Sequence, residues 1–180
     1  MRVDDEVFTA FVRANTPALT RTAYLLAGDV DAAEDLLQSA FAATYVHWGR
    51  LRHLDDAALY VRRQLTSTMT SWRRRRSSTE VLMAAPAVDG ATDDVAEREQ
   101  RDELVRALRQ LSTRQRAVIV LRFYDDLTEA QVADVLGCSV GSVKTHAHRG
   151  LERLRELLDT ADAEPQVARP ISTAPVVKTC

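Results

Sequence analysis

The sequence predicts an all-α protein in which two small helical domains are joined by a flexible acidic linker, the C-terminal domain being a helix-turn-helix. Glycine and proline are sparse, with six and five among 180 residues, and apolar residues recur mostly at spacings of three and four. This spacing is typical of helices with one apolar face, whereas a half-buried strand would alternate. From Ser77 to about Val95 the pattern gives way to Ser, Thr, Pro and acidic residues. The predicted segments are a domain at 1–76, a linker at 77–98, a domain at 99–160 and a disordered tail at 161–180.

Two short helices are predicted at the start of the chain, on either side of Thr16. The apolar stripe of the first consists of Phe8, Phe11 and Val12. Thr16 followed by Pro17 is typical of an N-cap with proline at the first helical position, so a second helix is expected to begin there. Its apolar stripe consists of Leu19, Ala23 and Leu26. Gly28 is expected to end it, because glycine accepts the left-handed C-terminal conformation.

A third helix is predicted from Asp31, which has the chemistry of an N-cap and is followed by Glu34 three positions later. Its expected buried side consists of Ala33, Leu36, Leu37, Ala40, Phe41 and Thr44. The residues expected to point outward are Glu34, Asp35, Gln38 and Ser39. The third helix is therefore predicted to present an acidic face.

A fourth helix is predicted to begin at Asp55 and Asp56, since acidic residues are favoured in a first turn. Its apolar stripe consists of Ala58, Val61, Leu65, Thr68 and Trp72. Residues 47–76 hold eight basic and two acidic groups, including Arg62, Arg63 and the run Arg73–Arg76. Two interpretations of this basic helix stay open on its own residues: a nucleic-acid surface or a solvated charged end.

The C-terminal domain contains two capping boxes and a turn between helices. Its first apolar stripe consists of Leu104, Leu108 and Leu111. The boxes begin at Ser112, which starts a helix through Val118 and Leu121, and at Thr128, which starts a short helix. Gly137 provides the backbone freedom for a sharp turn, and Ser139 is expected to cap the last helix. This order of signals predicts a helix-turn-helix over residues 127–158.

The last helix is predicted to have one apolar and one polar, basic side. The apolar positions are Val140, Val143, Ala147, Leu151, Leu154 and Leu158. A helical projection places opposite them Ser142, Thr145, His146, Arg149 and Arg153, with Lys144 on the flank. Short hydroxyl side chains and Gly141 let a helix approach base edges, while Lys and Arg contact phosphates or guanine. The helix is therefore predicted to enter the major groove of DNA, against the alternative of an ordinary hairpin with a solvated face.

Patterns for catalysis, metals and membranes are missing from the sequence. It has no phosphate-binding loop and no nucleophile–base signature, so an enzyme acting on nucleic acid is the weakest of three functional hypotheses. His146 and His148 face different directions on a helix, and Cys138 and Cys180 have no ligand spacing, so no metal is expected. The apolar stretches are too short for a membrane span and no signal peptide is evident, so a cytoplasmic protein is expected.

Across roughly residues 7–158 the chain resembles the extracytoplasmic-function (ECF) sigma factors of the bacterial sigma-70 superfamily. The segments that carry this resemblance are Tyr24–Asp29, Ala33–Gln38, Tyr60–Arg63, Ser71–Arg75, Arg114–Val118 and Leu136–Lys144. Helix-turn-helix motifs are common. The combination of an acidic helix, a Trp-Arg helix, an acidic linker and a helix-turn-helix is specific to this family.

The resemblance implies an RNA polymerase subunit that directs promoter recognition, DNA melting and transcription initiation without a cofactor. The implied partners are promoter DNA, core polymerase through its clamp helices and flap, and an anti-sigma factor. The implied core-binding residues are Glu34, Asp35 and Gln38. Those implied for the minus-ten element are Tyr60, Arg62, Arg63, Ser67, Trp72, Arg73, Arg74, Arg75 and Arg76. Those implied for the minus-thirty-five element are Ser139, Gly141, Ser142, Lys144, Thr145, His146, Arg149 and Arg153.

Three residues depart from the family pattern. Ser39 stands where relatives usually have Glu, Ser67 where they commonly have Asn, and His146 where they usually have Arg. These residues lie in the implied polymerase-binding and DNA-binding segments, so the preferred promoter sequence does not follow from the resemblance.

A second hypothesis is a stand-alone repressor or activator that binds duplex DNA through residues 127–158 without polymerase. The distribution of charge adds a further expectation. Residues 77–105 hold eight acidic and two basic groups that are suited to screen the basic segment 47–76, so the two domains are expected to pack against each other or against an inhibitor in the idle protein.

Overall fold

The computed structural model describes residues 3–51, 54–76 and 95–163, with the side chains of 3–4, 54, 73–76, 95–99 and 161–163 left aside. The described residues form seven α-helices. These are α1 (Val3–Ala27), α2 (Val30–His47), α3 (Leu54–Arg76), α4 (Val95–Gln110), α5 (Thr113–Ile119), α6 (Glu129–Leu136) and α7 (Val140–Ala163). A 3-10 turn, Trp48–Arg50, follows α2, and a π-helical turn, Val120–Tyr124, follows α5. Strands do not occur in these ranges, and the all-α prediction is confirmed.

The predicted break at Thr16 is wrong, because α1 is one helix that passes through Pro17. Proline removes one backbone donor and crowds the preceding turn. Side chains from that turn bond to carbonyl groups there: Thr16 Oγ1 donates to Val12 O at 2.7 Å and Asn15 Nδ2 to Phe11 O at 2.9 Å. Thr16 is therefore inside the helix and not a cap.

The helix α2 begins two residues earlier than predicted. Its N-cap is Asp29, whose carboxylate accepts a hydrogen bond from the backbone N–H of Ala32 at 2.9 Å, while Asp31 lies in the first turn. Gly28 ends α1 with a positive φ of 76°, as predicted. The buried side is confirmed, and consists of Ala33, Leu36, Leu37, Ala40 and Thr44 with Phe41 partly buried.

The N-terminal domain is a three-helix unit, since α1, α2 and α3 each pack on the other two. In α3 the buried positions are Ala57, Val61, Leu65, Thr66 and Met69. The predicted stripe is thus confirmed at Val61 and Leu65. Ala58 and Trp72 are partly buried against the core, and Met69, not Thr68, completes the fully buried row.

The C-terminal domain begins with α4, whose first residue, Val95, lies inside the predicted linker. Both predicted capping boxes are present, at Ser112–Gln115 and Thr128–Gln131. Leu104 is 38% exposed and Val140 39%, so these two members of the predicted apolar stripes are wrong. Val143 is fully buried, and α7 packs on α4, α5 and α6.

The two domains pack directly against each other. The N-terminal core continues into Ala117 and Val120, and Leu59 of α3 packs against the core of the helix-turn-helix. Leu25 of α1 contacts a third cluster formed by α4 and α5. The expected packing of the domains is therefore present, while the acidic residues 77–94 lie outside the described ranges.

Candidate nucleic-acid and protein interfaces

The acidic face of α2 is open to solvent. Glu34, Asp35 and Gln38 are all exposed, as is Ser39. The opposite side of the same helix is buried against α1 and α3, so the face is held on a helix that cannot rotate without losing its core. The acidic face is therefore exposed on a helix whose orientation is fixed by its core.

The basic helix α3 presents only part of its predicted DNA-binding set. Arg63 and Ser67 are exposed, whereas Tyr60 and Trp72 are partly buried. Trp72 packs against the N-terminal core, so its partly buried ring stabilises the domain as well as contributing to the surface of α3. Arg73–Arg76 continue the helix, and their side chains fall outside the description.

Arg62 of α3 forms an ion pair with the other domain. Its Nε donates to Asp125 Oδ2 at 2.7 Å, and its Nη1 donates to Ala58 O at 3.2 Å. The second carboxylate oxygen of Asp125 accepts a hydrogen bond from Thr22 Oγ1 of α1 at 2.6 Å. The side chains of Arg62 and Asp125 are 15% and 3% exposed. We call Asp125, Arg62 and Thr22 the Asp125 cluster.

A cleft of about 330 Å³ lies between α3 and the C-terminal domain. Its walls include Arg63, Ser67 and Ser71 from α3, and Arg114 and Gly137 from the C-terminal domain. The predicted minus-ten surface therefore faces the other domain in this arrangement, and is not fully open.

The turn of the helix-turn-helix is fixed by local hydrogen bonds. Gly137 has a φ of 60°, a left-handed conformation that an L side chain adopts at a cost. Ser139 Oγ accepts a hydrogen bond from the backbone N–H of Ser142 at 3.1 Å, which confirms it as the cap of α7. Arg114 Nη1 donates to Leu136 O at 2.9 Å and so satisfies a carbonyl at the end of α6.

The predicted DNA-facing side of α7 is polar and accessible. Ser139, Gly141, Lys144, Thr145, Arg149 and Arg153 are exposed, and Ser142 and His146 are half-buried. Lys144 Nζ lies 3.6 Å from Glu129 Oε2, and Arg153 donates to Glu156 Oε2 at 2.8 Å. Exposed pairs of this kind contribute little, so both cations remain available to a phosphate.

A second polar contact joins the domains on the other side of α5. Arg116 is buried, and its guanidinium donates to Leu26 O at 2.8 Å and to Arg109 O at 2.7 Å. The Arg109 side chain lies over Gly28, where an added Cβ would meet its Cγ at 2.6 Å. Burial and the nearby Asp102 carboxylate raise the pKa of the Tyr24 hydroxyl in this region.

The residues that join the domains were missed by the sequence reasoning. Asp125 and Thr22 have no local pattern, since each is defined by a partner on a distant helix. Arg116 carried one usable signal, because an uninterrupted apolar run, Ala117–Leu121, follows it in the sequence, and the structure buries Arg116–Ile119. A helix buried on all sides is a core helix, and an arginine within it requires acceptors.

Within the described ranges, no group of three or more His, Cys, Asp or Glu side chains is placed to hold a metal ion. None of the described helices combines the length and apolar character of a membrane span.

Comparison with known families identifies the two domains. The sigma-70 region 2 model matches residues 11–79, and the sigma-70 region 4 model matches residues 101–154. The first match covers α3 and its basic residues, and the second covers the helix-turn-helix. The fold and its two surfaces thus define the class of protein, a sigma-70 type transcription factor.

Sequence identity to known sigma factors narrows the class of protein further. The chain is 38% identical over 161 residues to the RNA polymerase sigma-E factor of Streptomyces coelicolor, covering 87% of this chain and 89% of that one. It is 27% identical to the ECF sigma factor SigW of Bacillus subtilis, covering 86% and 90%. The chain belongs to the ECF sigma factors of the sigma-70 superfamily. It therefore acts with RNA polymerase in promoter recognition and transcription initiation, and sigma factors as a family are regulatory subunits rather than enzymes.

Solved structures support the fold. The sigma factor RpoE of Bartonella quintana, in complex with the anti-sigma factor NepR, matches with a TM-score of 0.65 at 22% identity, covering 86% of this chain and 98% of that one. CnrH in complex with the cytosolic domain of CnrY matches with a TM-score of 0.63 at 23% identity, covering 87% and 90%.

Proposed function

We propose that the acidic face of α2 binds the clamp helices of the largest subunit of core polymerase, through Glu34, Asp35 and Gln38. All three side chains are exposed on one rigid helix, and acidic groups meet basic partners with favourable steering and register. Ser39 extends this face with a neutral hydroxyl where relatives have a carboxylate.

The helix α7 binds the minus-thirty-five element in this proposal. Ser139, Gly141 and Ser142 allow the N-terminal end of the helix to approach base edges, while Thr145 and His146 follow one turn later. Lys144, Arg149 and Arg153 contact phosphates. His146 presents a shorter donor than arginine, so the preferred bases differ from those of relatives that have arginine at this position.

The helix α3 binds the minus-ten element. Arg62, Arg63 and Arg73–Arg76 hold phosphates of the non-template strand, and Tyr60, Ser67 and Trp72 contact its unstacked bases. DNA melting then draws on binding energy, with no catalytic group and no cofactor from this chain. The site of action is the cytoplasm.

The division of labour corresponds to a core-binding and minus-ten domain at 1–76, a linker at 77–98 and a minus-thirty-five domain at 99–160. The C-terminal domain also contacts the polymerase flap. An anti-sigma factor is a further proposed partner, supported by the solved relatives that are described in complexes with one.

One observation carries the proposal: a single chain holds an exposed acidic helix, a basic helix and a capped helix-turn-helix in matched sigma-70 regions. Reconstituted transcription tests it. Purified core polymerase with the full chain, on fragments of genomic DNA, is expected to give transcripts with defined start sites. Core alone provides the control. Start sites that do not depend on the chain would disprove the proposal.

A further inference from the structure

The Asp125 cluster is a specific contact between domains. Asp125 follows the π-helical turn of the C-terminal domain, and its two carboxylate oxygens bind groups from two different helices, α1 and α3, of the N-terminal domain. A surface contact formed by chance would leave such a carboxylate hydrated, whereas this one is 3% exposed. The contact therefore fixes how the domains are oriented.

The buried pair also makes the closed arrangement reversible. Two charges removed from water lose hydration, and their attraction roughly balances that loss, so an ion pair of this kind specifies geometry more than it adds stability. When the domains separate, water solvates both groups again. The cost of opening then lies mainly in the apolar contacts of Leu59, Leu25, Ala117 and Val120 and in the hydrogen bond from Arg116 to Leu26 O.

Arg62 has two competing partners. It donates through Nε to Asp125 and through Nη1 to Ala58, and only 15% of its side chain is exposed, so the closed form leaves little of the guanidinium accessible to a DNA phosphate. The same closure turns Arg63 and Ser67 toward the cleft wall formed by α6. Contact of the whole basic face of α3, including Arg62, with single-stranded DNA thus requires the domains to separate.

We propose that Asp125 is an intramolecular competitor of the minus-ten strand, which holds the idle protein closed through Arg62 and Thr22. The inference rests on the proposed role of α3. The apparent affinity of the free protein for DNA is then lowered by the fraction of molecules that are open. The acidic face of α2 stays exposed in the closed form and is free to bind core polymerase. This binding opens the cluster and frees Arg62.

The test compares two neighbouring carboxylates. Asp125→Asn removes the buried charge but keeps an acceptor for Thr22, while Asp126→Asn removes an exposed charge and serves as the control. Asn tolerates the positive φ of 52° at position 126, and both variants change the net charge equally. Opening is measured in the full chain by fluorescence transfer between labels at Ala42→Cys and Asp159→Cys, with Cys138→Ala and Cys180→Ser.

We expect a narrow distance distribution for the unaltered cluster and for Asp126→Asn, and a broad, longer one for Asp125→Asn. Affinity of the free protein for a mixed-sequence single-stranded oligonucleotide is expected to rise about tenfold in Asp125→Asn. It is expected to change less than about twofold in Asp126→Asn. The gain is expected to be smaller in the double variant Asp125→Asn, Arg62→Gln, because Arg62 is one of the groups set free.

An unchanged distance distribution in Asp125→Asn would overturn the inference, and so would equal DNA affinities for the two single variants. Transcription with core polymerase separates this failure from that of the proposed function. If the unaltered chain initiates transcription and Asp125→Asn leaves the distances between the labels unchanged, only the proposed role of Asp125 as a competitor is rejected. Absence of initiation rejects the proposed function.

Discussion

The acidic face of α2 and the basic face of α3 belong to the same small domain but differ in access. Glu34, Asp35 and Gln38 are open to solvent, whereas Arg62 is paired with Asp125 and Arg63 lines a cleft. The face proposed to bind polymerase is thus exposed, while the face proposed to bind the DNA strand is partly covered. The two proposals together imply an order of events in which core polymerase binds first and DNA second.

Charge reversal on the open face is expected to have the largest effect. Asp35→Arg places a cation against a basic partner, and like charges at an interface cost several kcal/mol. Affinity for core polymerase is expected to fall about a hundredfold in a titration with labelled protein. Glu6→Arg, an exposed residue of α1 with the same charge change, is the control. Equal affinities for the two variants would remove the proposed role of α2.

Removal of the second polar contact between domains is expected to cost about 2 kcal/mol of the free energy of unfolding. Arg116→Met keeps the length of the side chain but leaves the carbonyl groups of Leu26 and Arg109 without this donor. Urea denaturation measures the loss. Arg114→Met, which changes an exposed arginine two residues away, is expected to cost under about 1 kcal/mol. Similar losses in the free energy of unfolding for both variants would show that the burial of Arg116 does not determine its contribution to stability.

A methyl group at Gly28 is expected to cost about 1–2 kcal/mol through its left-handed backbone alone. Gly28→Ala would also push the Arg109 side chain, whose Cγ lies 2.6 Å from the added Cβ. Thermal unfolding is expected to show a lower Tm. Gly49→Ala, at a position with nothing within 4 Å of the new atom, is expected to leave the Tm nearly unchanged. A Tm for Gly28→Ala equal to that of the unaltered chain would contradict the strained contact.

The smallest effect is expected for a substitution on α7, whose polar side is exposed to solvent. Lys144→Gln removes one proposed phosphate contact, so the slope of log affinity against log salt for a mixed-sequence duplex is expected to decrease by about 1. Arg155→Gln changes an exposed cation on the same side of the helix but about three turns farther from its N-terminal end, and is expected to leave the slope unchanged. The reverse result would place the duplex at the C-terminal part of α7.

Local signals explain most of what the sequence predicted correctly. The capping boxes at Ser112 and Thr128, the turn at Gly137 and the cap at Ser139 depend on residues within three or four positions of each other, and all four are present. The acidic side of α2 follows equally from the helical period. Such features need no knowledge of distant contacts.

The errors arise where tertiary contacts override local preference. Pro17 stays inside α1 because the helix is buried on both sides of it, at Phe11 and Leu19. Asp29 caps α2 in place of Asp31, a choice between two equivalent carboxylates that helical spacing alone could not make. Asp125 had no local pattern at all, since its role depends on Thr22 and Arg62, about a hundred and about sixty residues away.

The π-helical turn before Asp125 sets the direction in which this side chain points. The backbone N–H of Asp125 donates to Val120 O at 3.0 Å, five residues back rather than four, so this turn contains one more residue than an α-helical turn. That extra residue changes the direction in which Asp125 leaves α5. The insertion or removal of a single residue here would turn the carboxylate away from both its partners, and would also shift Leu127 relative to the core of the helix-turn-helix.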